Sequence, residues 1–367
     1  STVMVERTTY LNAVPSTATR LVFRWYFNSQ YSCCIDDINV DELPSCVPPS
    51  NLNADPVAAT SATLAWAGTS SSYNLRYRYW VPDEDFSTTI SSEWENKTGK
   101  LNNDGTATLS SGSRWSIGTG NGVFDSHART EIWSTYNAWL ITPQFMVGSG
   151  YTLKFDLALT YWSGTLVAPA TTGTDDRFVV LVSTDNEDTW TTLREWNNSG
   201  STYVYNNINA TAIGENVSID ISAYSGQKIR IAFYGESTVS NADNYLHIDN
   251  VRVDGVTWLT SNAVSEPNTI TGLTPENTYE WQVQGRCSGS TSDWSDLSSF
   301  TTIALPPCDP PSVSINGGTT PTCSGTEQTL SANVSGGTTP YSYSWEWTAT
   351  GSGSSTISSN AATVSVT

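Results

Sequence analysis

Positive charge is scarce in this sequence. Its 367 residues include 16 Lys and Arg against 35 Asp and Glu, a formal net charge of -19. A surface this acidic repels nucleic-acid phosphates and anionic lipid headgroups, which argues against both as partners. Histidine occurs twice, at His127 and His247, and neither lies in an HExxH motif. GxSxG and P-loop patterns are missing as well, so none of these hydrolase or nucleotide-binding motifs is present. The six cysteines include no CxxC pair, which argues against structural zinc. No apolar run reaches the length of a membrane span, and no signal peptide opens the chain. Carboxylate pairs are frequent in any acidic chain, and sequence gives no distance between them, so they do not define glycosidase chemistry. The chain is expected not to be an enzyme.

What is plentiful points to strands. There are 15 Trp and 17 Tyr, only 14% of residues are charged, and Ser, Thr, Asn and Gly carry most of the polarity. That is a β-rich composition rather than a helical or disordered one. The length suits about two to four domains. One stretch occurs twice: Ile248-Asp249-Asn250-Val251-Arg252-Val253 matches Ile35-Asp36-Asp37-Ile38-Asn39-Val40, and Arg230-Ile231-Ala232-Phe233 matches Arg20-Leu21-Val22-Phe23. A repeated strand pair marks a modular array. Leu246 and Ile248 alternate on one strand face, while Val251 and Val253 alternate one residue out of phase. Keeping all four on the core side needs an extra residue at Asp249-Asn250, a β-bulge. Two readings of the acidic residue there stay open: a carboxylate aimed by the bulge, or a solvated kink.

Residues 1–43 hold two or three strands, too few to bury a core alone. Pro44-Ser45-Cys46-Val47-Pro48-Pro49 reads as a linker. Short strands follow at Leu52, Ala62–Trp66 and Tyr73–Tyr77. They resemble the first half of a fibronectin type III domain, with Trp66 as its buried tryptophan. The second half comes almost two hundred residues later: Leu273-Thr274-Pro275 with Tyr279 resembles the tyrosine corner of that fold, and Phe300-Thr301-Thr302 its last strand. The expected organisation is therefore a sandwich built from 46–79 and 256–303, interrupted by a domain at 80–255. Hairpin loops are exposed and domain termini often adjacent, so such an insertion is physically permitted. Cys46 opens the first strand of that sandwich and Cys287 ends a late one, which predicts a disulfide between them. Vicinal Cys33 and Cys34 do not readily bond each other. Cys308 pairs with Cys323, or Cys323 takes another partner.

The insert carries Trp139-Leu140-Ile141-Thr142-Pro143, Asp220-Ile221-Ser222-Ala223-Tyr224-Ser225-Gly226 and Ile248-Asp249-Asn250-Val251. In that order these resemble the cleaved-adhesin jelly rolls of bacterial surface proteins and their MAM-like relatives. Residues 1–43 resemble the C-terminal part of the same jelly roll. Residues 308–367, with Trp345 and Trp347 as core candidates, resemble an incomplete PKD or Ig-like module. The expected fold class is all-β: tandem β-sandwiches, with a jelly roll inserted into a fibronectin type III-like sandwich and partial sandwiches on either side. Ser183–Trp190 resembles an Asp-box hairpin, with Asp185 structural and Glu187 where a glycine is usual.

The resemblance implies a piece of a long Bacteroidota protein exported by type IX secretion and exposed at the cell surface. Its implied role is non-catalytic and adhesive, in attachment or gliding. The alternative is a carbohydrate-binding accessory region of a secreted hydrolase. Partners would be a surface glycan, a protein ligand or neighbouring modules of the same chain, without nucleic acid or membrane insertion. Tyr161-Trp162 and Tyr203-Val204-Tyr205 are candidates for stacking on sugar rings, or else core residues. The resemblance also implies structural calcium between the incoming and closing strands of the insert. Asp83, Glu84 and Asp85 would serve from one side and Asp249 from the other. The sequence departs from the family where a glutamate usually follows the incoming phenylalanine, since Ser87 follows Phe86. His247 is expected at a surface or sheet edge.

Overall fold

The computed structural model describes residues 46–303, apart from 120–121, 163–174, 200–201, 210 and 241–242. It also describes residues 22, 23, 38, 304–306, 312–316, 328–335, 341, 343–348, 354–359 and 363–366. The expected strands in 1–43, the kink at Asp36-Asp37, the core role of Trp347 and Cys33, Cys34, Cys308 and Cys323 lie outside the described residues. The chain forms two compact units, Ser1–Ile303 and Ala304–Thr367. Regular structure among the described residues is strand, with two short 3-10 turns. No helix among them is long and apolar enough to cross a membrane.

The first unit opens with β1 (Ser50–Val57), β2 (Ser61–Ala67) and β3 (Ser72–Tyr79). The chain then enters a jelly roll whose described residues form thirteen strands. These are β4 (Asp83–Glu84), β5 (Glu95–Thr98), β6 (Ser110–Ser111), β7 (Trp115–Thr119), β8 (Ser126–Ile132), β9 (Tyr136–Ile141) and β10 (Phe145–Met146). They continue as β11 (Thr152–Tyr161), β12 (Arg177–Ser183), β13 (Thr191–Asn197), β14 (Glu215–Asp220), β15 (Lys228–Ser237) and β16 (Asn244–Asp254). The chain returns to the first sandwich with β17 (Leu259–Val264), β18 (Asn268–Thr271), β19 (Thr278–Cys287), β20 (Ser290–Trp294) and β21 (Ser298–Thr301).

That first sandwich pairs segments far apart in sequence. One sheet is β1-β2-β18; the other is β17-β3-β19-β20, with β21 also on β19. Strict alternation in β2 turns Ala62, Leu64 and Trp66 inward, and β3 adds Tyr73 and Leu75. They pack against Ile270, Leu273, Tyr279, Trp281, Val283 and Phe300, with Tyr77 against the cluster. The Tyr279 hydroxyl accepts a hydrogen bond from Thr274 N at 2.9 Å, which closes the corner. The Cys46–Cys287 disulfide is present, its Cα atoms 5.8 Å apart.

The jelly roll has sheets β14-β11-β16-β8-β7 and β13-β12-β15-β9-β5-β6, with β4 on β16 and β10 on β15. Phe155, Phe178, Phe233, Leu140 and Trp196 fill the space between them. The second sheet also has a sealed outer face: Leu101, Trp139, Val179, Leu181, Trp190 and Tyr234 form a further apolar layer. The Asp-box turn closes over it. The Asp185 carboxylate accepts Thr189 N at 3.0 Å, and Trp190 meets Trp139 at 5.4 Å. Glu187 takes the glycine-like backbone itself, at φ +78°.

The jelly roll has two distinguishable ends. The chain enters from Tyr79 and leaves through Gly255 at the same end, where Lys228 Nζ donates to the Glu276 carbonyl at 2.8 Å. Gly255 (φ +86°) is required there, because a Cβ would run into the Gly150 carbonyl. We call this the stem end. The connections β8–β9, β11–β12, β13–β14 and β15–β16 lie at the other end, the tip. In the second unit, Ser312–Asn316, Gln328–Ser335 and Thr363–Val366 form one antiparallel sheet, and Tyr343–Thr348 pairs with Ser354–Ser359. Trp345 is buried.

Candidate functional site

The phase break in the closing strand is a β-bulge. Lys154 opposes Arg252 and Asp156 opposes Asp249, so two residues of β16 face one of β11 between them. Asn250 takes φ +49°, a left-handed conformation that asparagine tolerates better than most residues. As a result Leu246, Ile248, Val251 and Val253 all lie in the core.

The bulge leaves Asp249 buried and beside other carboxylates. β4 pairs with β16 through Glu84–Val251 and Asp83–Arg252, so the incoming and closing strands are neighbours. Burial pushes the Asp249 carboxyl up to about 7, opposed by the hydrogen bond from Asn250 N and reinforced by Asp156, Asp85 and Asp125. Asn250 Nδ2 bridges Asp156 Oδ2 at 2.8 Å and Asp249 Oδ2 at 3.3 Å. The charges acting on Asp249 are thus all negative.

The four residues singled out from sequence divide here. Asp85 and Asp249 come within electrostatic reach of each other. The Glu84 carboxylate accepts Phe86 N at 3.1 Å, and burial raises its pKa. Asp83 is exposed. Asp125 and Asp156 join the cluster and were not singled out; Asp156 could have been found from the register, because it stands opposite the bulge. Among the described residues no three His, Cys, Asp or Glu side chains converge as a ready metal-ligand set. The chemistry nevertheless fits a hard cation: carboxylate oxygens only, one buried, with a net negative field.

The two histidines are not at an edge. His247 Nδ1 lies 2.8 Å from His127 Nε2, and His247 Nε2 lies 2.9 Å from Thr160 Oγ1. Both rings are fully buried. They sit on β8 and β16, on the sheet face away from the main core, and strand register brings them together. Burial holds His127 down at about 4, helped by Arg129, and holds His247 well below the usual range.

The tip is aromatic. Trp133 is 43% exposed, Tyr161 40%, Trp162 47% and Tyr203 41%. Ile132, Asn244 and Tyr161 stand in one row across three strands. Ile132 and Tyr161 therefore stand about 10 Å apart, two strand spacings, and Trp133 follows Ile132. The Tyr161 and Trp162 rings lie 5.9 Å apart. Tyr203 lies under the Arg194 guanidinium at 4.8 Å. Tyr205, also a stacking candidate from sequence, is instead a core residue. It is fully buried and donates to Asn244 Oδ1 at 2.6 Å.

No family model matches the chain, and no curated protein matches it. Among solved structures it is similar to TmCBM61 in complex with β-1,4-galactotriose, at 12% identity and TM-score 0.30, covering 48% of this chain and 97% of that one. It is also similar to the FN1–FN3 domains of chicken CNTN1, at 12% identity and TM-score 0.14, covering 70% and 99%. Scores this low leave the fold to rest on the strand pairing described above.

Proposed function

We propose that this chain is a non-catalytic, adhesive segment of a longer secreted bacterial cell-surface protein. The observation that carries this reading is the polarity of the insertion. Both chain crossings tie the jelly roll to its stem at one end, and the exposed aromatic side chains gather at the other. An inserted domain held by two strands, with its host closed by Cys46–Cys287, is suited to presenting a surface under load. Calcium at the bulge fits the same role. Asp249 and Asp85 would hold the ion, with backbone carbonyls or waters completing its shell, and lock the incoming strand to the closing one. Bound there, the ion would offset the mutual repulsion of these carboxylates.

A second reading, a carbohydrate-binding accessory region of a secreted hydrolase, is favoured by the exposed Trp133, Tyr161 and Trp162. A catalytic domain in the same gene would support it; further repeats and a surface-sorting domain would support the first. Beads coated with the chain, presented to immobilised glycans and matrix proteins, test the common core of both readings. Adhesion without product release is expected. Turnover of any immobilised ligand would contradict a non-catalytic role.

A further inference from the structure

From the chemistry of the tip we infer that it is a binding site for neutral oligosaccharides, with Trp133, Tyr161 and Trp162 as the stacking surface. This rests on the carbohydrate reading and gives it a place and a ligand class.

Three observations carry it. First, among the described residues the large exposed hydrophobics of the jelly roll are all at this end. Trp133, Tyr161, Trp162, Tyr203, Ile213 and Val239 fall on the four tip connections. In the host sandwich, by contrast, the Trp258 and Trp294 rings lie under the Arg76 guanidinium, at 4.4 and 4.1 Å. An amphipathic ring left open is a surface on which the apolar face of a sugar can stack.

Second, the described residues of the tip connections include no cation. These residues, 133–135, 162, 175–176, 198–199, 202–209, 211–214, 238–240 and 243, include no Lys or Arg, and the acids among them are Asp175, Asp176 and Asp243. Asp175 is already engaged by Thr238 N at 2.6 Å and Val239 N at 2.8 Å, and Asp176 by Asn244 Nδ2 at 3.1 Å. Two arginines stand at the border and both are engaged: Arg177 is paired with Glu236 and Glu195, and Arg194 lies on the Tyr203 ring at 4.8 Å and donates to the Ser218 carbonyl at 2.8 Å. Sulfated or sialylated glycans would meet no free counter-charge in these connections, whereas a neutral chain needs none. The remaining polarity is Ser, Thr and Asn, whose hydroxyl and amide groups suit sugar hydroxyls.

Third, the spacing suits a chain rather than a single sugar. Tyr161 stands about 10 Å from Ile132, the residue before Trp133, roughly a disaccharide unit, with the Asn244 strand between them.

The test uses the full 367-residue chain on an array of neutral β-linked galactose, glucose and mannose oligosaccharides. Sialylated and sulfated glycans and matrix proteins serve as comparators. Neutral glycans should bind, acidic ones more weakly. The variant Trp133→Ala/Tyr161→Ala/Trp162→Ala should lose at least tenfold in affinity with an unchanged thermal midpoint. Trp133→Phe, which keeps a ring, should retain more binding than Trp133→Ala. If neutral glycans bind the folded triple variant as well as the parent, or if Trp133→Phe and Trp133→Ala both bind like the parent, the site is elsewhere and this inference fails while the carbohydrate reading stands. Binding only to acidic glycans overturns the ligand class. Binding only to proteins overturns the carbohydrate reading with it and leaves the adhesive one.

Discussion

Substituting Asp249 by Asn should change how the protein responds to both pH and calcium. In the folded, metal-free chain the Asp249 carboxyl is pushed from 3.8 to about 7, chiefly by burial. The folded state therefore keeps a proton between about pH 4 and 7 that the unfolded state releases. A group whose folded pKa is raised contributes stability at low pH that is lost as pH rises through the folded value. Three pH units correspond to about 4 kcal/mol as an upper bound. Asp249 is 7% exposed and its carboxyl borders solvent, so screening lowers this figure. The amide of the Asp249→Asn variant has no charge to desolvate, and its oxygen can still accept the Asn250 N–H. In chelator, the difference in unfolding free energy between parent and variant should therefore shift in favour of the variant from pH 4 to 8, by on the order of 2–4 kcal/mol. Calcium should reverse this at pH 8, raising the stability of the parent and not of the variant. Urea unfolding across that pH range, with calcium or chelator, reads both effects. Parallel pH profiles in chelator, or equal stabilisation by calcium, would refute the reasoning.

Other expectations follow from the same structure. The buried histidines act with the opposite sign, because their folded pKa values are depressed. Their contribution is complete above the unfolded value near 6.5 and is lost as pH falls toward 4. His127→Phe should flatten acid unfolding in that window, and an unchanged acid limb would count against it. Replacing Cys46 and Cys287 by Ser should lower stability by roughly 2–4 kcal/mol, measured in denaturant; no change would show that the bridge does not secure the host sandwich. Glu187→Gly should raise stability by up to about 1 kcal/mol by relieving the positive φ. Loss of the Arg230 contact at 3.4 Å offsets part of this gain, and a clear drop in melting temperature would show that the ion pair outweighs the backbone.

The sequence made the bulge legible because strand side chains alternate strictly. A single break in phase, between Ile248 and Val251, had one geometric remedy. The insertion was legible for a related reason: the strands carrying Trp66 and Tyr79 are followed by no second half of a sandwich, and Leu273 to Phe300 lacks a first half. Cross-strand neighbours were not legible. Asp156 reaches Asp249, and His127 reaches His247, only through register between strands far apart in the chain, and no local pattern fixes that. Tyr205 was ambiguous because one aromatic two residues from another can face either way. The Asp-box forms despite Glu187, because the Asp185 and Ser183 side chains hold the turn amides whatever residue occupies the positive-φ position.

Adhesion by the tip rather than the stem is the central claim. It is tested most directly by beads carrying three forms of the chain: the parent, the tip variant Trp133→Ala/Trp162→Ala, and a stem variant, Leu259→Ala/Leu297→Ala, altering two exposed side chains of the host sandwich. On a glycan-coated surface under flow with calcium present, parent and stem-variant beads should be retained and tip-variant beads released. Retention of the tip variant together with release of the stem variant would contradict the account.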